Sequence, residues 1–434
     1  MEKSVAEDLS VPVLEHQQVA TGPKPLAVSR VQGRERRRRK IAFFGHFDSS
    51  NFGNESTLKA ILYHLHRFHP DAEVTCISTG RPEASGINTV PMIQTIVKWQ
   101  PQNLALRVAR TLCIGIPSEL YRWANGLTTL RRIDTFIIPG TGLLTDAYGL
   151  RGWGPYNTFK WSVIAKICRC KIIFVSVGAG PIYGALGRRF VKSALSLADF
   201  RSYRDKSTIK YLISIGYPAD NDRMHPDLVF SLPIPKQGTK KGGRPVVGLG
   251  LMEYAGKYSV SEPRNEIYLA YLENLVIFVR WLLAHKYDVR LLSGDTGDMH
   301  VREELKDLLL REGLSARDEG RIIDEPVTSV DNLLSQISAT DIIVATRFHN
   351  VLLALLCNKP AISISFHHKS VSLMSAMGLS DYCLDINDFK AEMLIAKFCD
   401  LKTNVSKLKP LIREKVREFR DALDEQYRFI FNEM

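Results

Sequence analysis

A chain of 434 residues exceeds one ordinary hydrophobic core and implies two domains of roughly 200 residues each. Its 45% hydrophobic and 24% charged residues are the balance of a soluble globular protein, and no uninterrupted apolar run reaches the roughly 18 residues of a membrane-crossing helix. Of the net charge of +12, residues 34–40 (RERRRRK) hold six bases against one acid, or +5. The remainder is only mildly basic, which argues against a nucleic-acid-binding enzyme.

Residues 1–40 contain few large hydrophobics and no periodicity, and read as a disordered basic tail. The basic run suits peripheral contact with anionic lipid head groups at an inner membrane face, each base contributing on the order of 1 kcal/mol there. Nucleic acid and a solvated tail without a partner are the competing readings. Glu2, Lys3, Glu7 and Asp8 are followed by no apolar core, so no secretory signal is expected and the expected location is cytoplasmic. The seven cysteines show no framework spacing and lie mostly in apolar segments, as reduced core residues do. Cys168-Arg169-Cys170 has neither a second pair nor a nearby histidine and reads as structural.

The first domain is expected over 41–235. Ile41 to Phe44 is a short apolar strand, GHFDSSNFGNES (45–56) a glycine-containing loop, and Thr57 to Phe68 a helix. A loop between first strand and first helix is where a Rossmann-type domain meets its ligand; small and polar residues such as Asn51 and Gly53 let backbone amides approach an anion or a sugar. The loop is not G-x-G-x-x-G, so no dinucleotide is implied. Val74 to Ser78 is the second strand, and 81–132 mix amphipathic helical segments with Trp99 and Trp123. Thr135 to Ile138 runs into a turn where Gly140 and Gly142 serve either close backbone approach to substrate or tight turning. Residues 172–177 end in Gly178-Ala179-Gly180-Pro181, a helical pattern covers 188–198, and 200–216 read as a strand, Arg204-Asp205 and a helix ended by Gly216. Four strand–turn–helix units make a doubly wound sheet the expected architecture.

Residues 233–245, PIPKQGTKKGGRP, are rich in Pro, Gly and Lys, which places a linker at 236–245. Val246 to Leu251 restarts the pattern, so a second domain is expected over 246–400. Ile267 to Leu283 is a long amphipathic helix, and Val289 to Leu292 leads into Ser293-Gly294-Asp295-Thr296-Gly297-Asp298. Those two acids lack the further ligands of an EF-hand loop, and no metal is expected. A helix over 331–339 delivers the chain to DIIVATRFHNVLLALLCNKPAISISFHHK (341–369). Ile342 to Ala345 reads as a buried parallel strand, Val351 to Cys357 as an apolar helix stopped by Asn358-Lys359-Pro360, and Ala361 to Phe366 as the next strand. Arg347 and His349 stand at the strand-to-helix turn, where open α/β sheets hold ligands and a helix N-terminus favours an anion. An ion-paired arginine beside a structural histidine is the plainer alternative. Residues 401–434 close the chain with a basic amphipathic helix over 404–431, whose Leu408, Leu411, Ile412, Val416, Phe419 and Leu423 suit packing back on the first domain.

The order strand, Arg-x-His, apolar helix, Lys-Pro, strand and Lys369 resembles the closing region of the polysaccharide pyruvyl transferase family, whose members move the enolpyruvyl unit of phosphoenolpyruvate onto a sugar. The resemblance covers about 41–390. It takes in Asn51, Gly53 and Asn54, where relatives usually carry Asn-x-Gly-Asp and this chain ends in an amide. It also takes in the 140–142 glycine turn, Arg204-Asp205 followed by a serine, Pro226-Asp227, an acid at Asp298, and Ser375 to Leu379. It implies two Rossmann-like doubly wound domains facing across a cleft, like a B-type glycosyltransferase, and a reaction without cofactor or metal. Phosphoenolpyruvate carries a phosphate and a carboxylate. Arg204 and Arg347 would bracket it from the two domains, with the amides near Phe348 and His349 and the cation of Lys369. Arg204 paired with Asp205 is again the plainer reading. His349 would be the general acid/base of ketal formation or else a phosphate ligand, and Asn51, Gly53, Gly140, Gly142 and Asp298 would line the substrates. The acceptor would be a saccharide, free or lipid-linked. A B-type glycosyltransferase using a nucleotide sugar competes, weakened by the lack of a Glu in the usual ribose-gripping place. A non-catalytic carbohydrate- or anion-binding relative is the third reading.

Overall fold

The computed structural model describes residues 38–47, 51–78, 88–91, 103, 108–146, 153–234, 243–254 and 266–432. Among these residues the apolar runs pair into two all-parallel sheets. The first comprises β1 (Lys40–Gly45), β2 (Glu73–Ser78), β3 (Asn88–Pro91), β4 (Thr135–Pro139), β5 (Lys171–Val177), β6 (Phe200–Tyr203) and β7 (Arg223–Met224), in the order β3-β2-β1-β4-β5-β6-β7. The second comprises β8 (Val246–Leu251), β9 (Asp288–Ser293), β10 (Ile322–Ile323), β11 (Ile342–Ala345), β12 (Ala361–Ser365) and β13 (Cys383–Asp385), in the order β10-β9-β8-β11-β12-β13. Each sheet reverses its winding beside its first strand, between β1 and β4 and between β8 and β11. The crevice beyond the carboxyl ends at such a reversal is where α/β folds take ligands.

The run Lys40–Gly45 shows why a two-faced parallel strand reads as continuous apolar sequence. Ile41 and Phe43 enter a core shared with the helix Phe52–Phe68 and with the second sheet, whereas Ala42 and Phe44 face Phe136 and Trp161 on the opposite side. Full burial of a phenylalanine is worth roughly 1.5–3 kcal/mol, so both faces of the strand are strongly specified. Lys40, expected in the tail, belongs to β1, where its side chain pairs with Glu73 and its backbone N–H donates to Asp134. Residues 1–37, and 235–242 of the expected linker, lie outside the described residues.

Two helices start earlier than their periodicity suggests. The first begins at Phe52 because Asn51 caps it, its side-chain oxygen accepting from the N–H groups of Gly53 and Asn54 at 3.1 Å each. Gly53 and Asn54 are therefore the first helical turn, not a loop, and Asn54 does not occupy the cap. The last helix runs from Ala391 to Asn432 with Pro410 inside it. Phe398 packs against Phe278 at one end, and at the other Tyr427 stacks on His64 at 4.3 Å. Gln426 joins the first domain through hydrogen bonds with Ser202 at 2.6 Å and Ser176 at 3.1 Å. This helix fastens the two sheets together. The helix Glu266–Ala284 is long and apolar enough to cross a bilayer by length and composition alone, yet its Tyr271, Leu275, Phe278 and Leu282 are buried in the core.

Candidate active site

Arg204 leaves the end of β6 and meets three groups. Its Nε lies 3.4 Å from Asp205 and its Nη1 3.3 Å from Asp227, while its guanidinium sits 5.4 Å over the ring of Phe348 from the second domain. Its Nη2 is buried with no hydrogen-bond partner among the described residues. One N–H edge of a fixed cation is thus left for a ligand. Gly178, after β5, makes room for it, since a Cβ there would stand 2.6 Å from Nη2. Asp205 caps the helix Lys206–Ser214, accepting from the Thr208 N–H at 2.7 Å and the Ser207 hydroxyl at 2.6 Å. Burial opposes its ionisation, but Arg204 and these donors bring its carboxyl below the usual range. Asp227 caps the turn Leu228–Ser231 through the Val229 N–H.

Lys369 lies in the first turn of the helix His368–Ala376. Its backbone N–H donates to Nδ1 of His367, the cap, at 3.2 Å. Burial, with Arg204 adding to it, pushes the lysine down to about 7, although Asp205 and Asp227 pull it back. Burial also holds His367 at about 3, so the ring is neutral at pH 7, and the bond from the Lys369 N–H selects the tautomer with its proton on Nε2. Arg204, Asp205, Ser207, Phe348, Lys369 and Ser372 line one cavity of about 600 Å³ between the two domains. The Ser372 hydroxyl donates to that of Ser207 at 3.4 Å across it.

His349 stands in the first turn of the helix Phe348–Leu356. Its Nε2 is buried and has no partner among the described residues. Burial pushes the imidazole down to about 4; Asp227 opposes this, and Arg204, Lys369 and Arg347 reinforce it, so the ring is neutral at pH 7. Gly53 presses against the ring, and a Cβ at that position would fall on Nδ1. Gly53→Ala is therefore expected to turn His349 out toward solvent and raise its pKa toward the ordinary value of 6.5. An NMR titration of the imidazole Cε1 proton reads this directly, and an unchanged titration would mean that the helix Phe52–Phe68 yields instead.

The remaining candidate residues are placed differently. Arg347 forms a bidentate pair with the fully buried Asp298, Nε to Oδ2 at 2.8 Å and Nη2 to Oδ1 at 2.6 Å, while the Glu253 N–H also donates to Asp298. Burial pushes the Asp298 carboxyl up against the pull of Arg347. Asn51, besides capping its helix, donates to Asp295 at 3.0 Å, and Phe52 N–H donates to the Gly294 carbonyl at 3.3 Å. These bonds join the domains near His349. Gly140 packs on the Ser176 carbonyl, leaving no room for a side chain, and Gly142 has φ +70°. The structure thus gathers Arg204, Phe348 and Lys369 around one cavity, leaves His349 buried next to Phe348 and off the cavity wall, and gives Arg347, Asp298, Asn51 and Gly140 protein partners. Sequence reasoning overlooked His367; the His367-His368 pair just before Lys369 at a helix start was the available signal.

The chain matches the description of the polysaccharide pyruvyl transferase family over residues 51–368. It is 19% identical over 415 residues to the amylovoran biosynthesis protein AmsJ of Erwinia amylovora, covering 88% of this chain and 96% of that protein. Among solved structures, a glycosyltransferase from Rickettsia africae superposes with TM-score 0.53 at 12% identity, covering 91% of this chain and 98% of the other. Anabaena HepE in complex with UDP and glucose gives 0.52 at 12%, covering 90% and 99%. The UDP-GlcNAc 2-epimerase of Methanocaldococcus jannaschii gives 0.53 at 10%, covering 83% and 91%. At such identities these likenesses concern the fold, two parallel-sheet α/β domains of the glycosyltransferase B type. The family match spans most of the chain and includes Arg204, His349 and the strand–helix–strand unit that leads to Lys369. The chain is a transferase and belongs to the polysaccharide pyruvyl transferase family.

Proposed function

We propose that the chain transfers the pyruvyl group of phosphoenolpyruvate to two hydroxyls of one saccharide unit, making a cyclic pyruvate ketal in a polysaccharide or its lipid-linked precursor. The observation that carries this reading is the cavity in which Arg204 and Lys369 share one space with the N-termini of two nine-residue helices, Lys206–Ser214 and His368–Ala376. Helix N-termini and the Ser207 and Ser372 hydroxyls suit a phosphate, and the unpaired edge of a guanidinium suits a carboxylate. Asp205 and Asp227 offset the charge of Arg204 and hold it in place, so the empty cavity is not strongly positive. Attraction for the donor then depends on Lys369 being charged.

Atoms balance as follows. One sugar hydroxyl adds to C2 of the donor while its methylene carbon takes a proton to become methyl. The second hydroxyl then bonds to C2 as the C–O bond to phosphate breaks. Of the two hydroxyl protons lost, one is accounted for by the methyl group and the other leaves with phosphate. A group that carries protons both ways works best with a pKa near the working pH. Lys369, at about 7, meets that condition. Neutral His349, with its unpartnered Nε2, suits hydrogen bonding to an acceptor hydroxyl.

A trianion beside Lys369 favours its charged form, so donor binding should draw in a proton wherever the free lysine is neutral. Affinity for phosphoenolpyruvate is expected to fall as pH rises above about 7. Calorimetry in two buffers of different ionisation enthalpy should record proton uptake there, and none in Lys369→Met. Tight binding with no uptake in either protein would remove Lys369 from the donor site.

A further inference from the structure

The chain is helical from 108 to 130, including a π-helical stretch Thr111–Gly115 and the α-helix Ile116–Leu130. Val108, Leu112, Ile116 and Leu120 recur every fourth residue and so share one face. All four are exposed, Leu120 by 65% and Leu112 by 57%, with Tyr121 beside them at 62%. Tyr183 and Leu186, at the start of the helix Ala185–Ser196, are exposed by 69% and 61%. The two segments adjoin, because Ile116 and Leu186 wall the same cavity. Monomeric proteins rarely present this much contiguous apolar surface without a use for it.

Charge decides what the surface meets. Arg131, Arg132, Arg188 and Arg189 are exposed within these segments. Among residues 108–133 and 183–196 the sole acid is Glu119, and it is tied to Lys160, Arg122 and the Tyr156 hydroxyl; Asp146, which lines the cavity with Ile116 and Leu186, is half-buried and accepts from the N–H groups of Tyr183 and Gly184. An apolar face that shares its segments with four exposed arginines, and that has no exposed acid in those segments, matches the interface of an anionic bilayer, where apolar side chains enter the acyl boundary and cations meet head groups.

We propose that the face built from Val108, Leu112, Ile116, Leu120, Tyr121 and Leu186 docks on the surface of an anionic lipid bilayer. This contact uses none of residues 34–40 and none of the residues that line the donor cavity, and it holds whichever donor the enzyme uses. It would keep the enzyme beside acceptors carried in the membrane.

The test is flotation of the full chain with vesicles of phosphatidylglycerol and phosphatidylethanolamine, and with phosphatidylcholine vesicles as the neutral comparison. The wild type should float with the anionic vesicles, and L112D/L120D should lose at least about tenfold in partitioning with an unchanged melting temperature. The tail variant R36Q/R37Q/R38Q should keep most of its binding. A nitrobenzoxadiazole label on the exposed Cys113, in a Cys399→Ser background, should gain blue-shifted emission on those vesicles, a readout that does not depend on how L112D/L120D folds. Three results would overturn the proposal. The first is flotation of L112D/L120D equal to wild type, and the second is a label insensitive to vesicles. The third is a wild-type dimer in sedimentation that L112D/L120D dissolves, since the face would then belong to a second copy.

Discussion

Lys369→Met is expected to lower turnover by about 10²- to 10⁴-fold, the usual contribution of a positioned acid–base group, and to remove the limb of the pH–rate profile near 7. Methionine keeps most of the side chain's length and apolar volume, so loss of the ammonium is the main change. Stability should move the other way. Burial holds the lysine at about 7 in the folded chain against 10.5 for a solvated lysine, so between those values the unfolded chain binds more protons. Stability contributed through Lys369 therefore rises with pH across that window, and the folded state bears the full cost of a buried ammonium below it. Lys369→Met should be the more stable protein at pH 6, and its advantage should shrink as pH rises from 7 toward 10. Thermal melts across that range check the sign. A wild-type advantage at pH 6 would mean that Lys369 is charged and well satisfied in the empty enzyme.

Arg204→Gln is expected to weaken phosphoenolpyruvate binding by at least about 100-fold. A charged hydrogen bond to the donor is worth roughly 1.5–3 kcal/mol, and the glutamine also leaves Asp205 and Asp227 unneutralised against an incoming anion. The same loss should appear in the acid limb of unfolding. Burial opposes the ionisation of Asp205, and Arg204 leads the groups that nevertheless depress its pKa. A depressed carboxylate stabilises the fold above its unfolded pKa and loses that contribution as pH falls through its folded value. Without Arg204 the folded value rises, so acid unfolding should begin at higher pH. Calorimetric titration and acid melts of one preparation test both effects. Wild-type donor affinity in Arg204→Gln would show that its unpaired Nη2 edge does not meet the donor.

The strands were legible because parallel strands buried on both faces write continuous β-branched and aromatic runs, as in 41–44, 172–177 and 342–345, whereas their order in each sheet was not. Helix starts were less legible, since a cap such as Asn51 is a single polar residue whose role depends on where its neighbours' N–H groups point. Arg204, His349 and Lys369 could be singled out as candidates through family resemblance, but their surroundings could not. Arg347 pairs with Asp298 across 49 positions of sequence, and nothing local to either residue announces that bond. The shifts of Lys369 and His349 come chiefly from burial between two domains, which no residue pattern records. Gly53 and Gly178 look like ordinary loop glycines until the side chains of His349 and Arg204 are seen to occupy the space a Cβ would need.

Whether Arg204 and Lys369 form a phosphoenolpyruvate site is decided by titrating wild type and Arg204→Gln with phosphoenolpyruvate, and separately with UDP-glucose and UDP-N-acetylglucosamine, at pH 7 in a calorimeter. The expected result is saturable phosphoenolpyruvate binding to wild type, its loss in the variant, and no binding of either nucleotide sugar at the same site. Nucleotide-sugar binding that Arg204→Gln abolishes, with phosphoenolpyruvate silent, would contradict it.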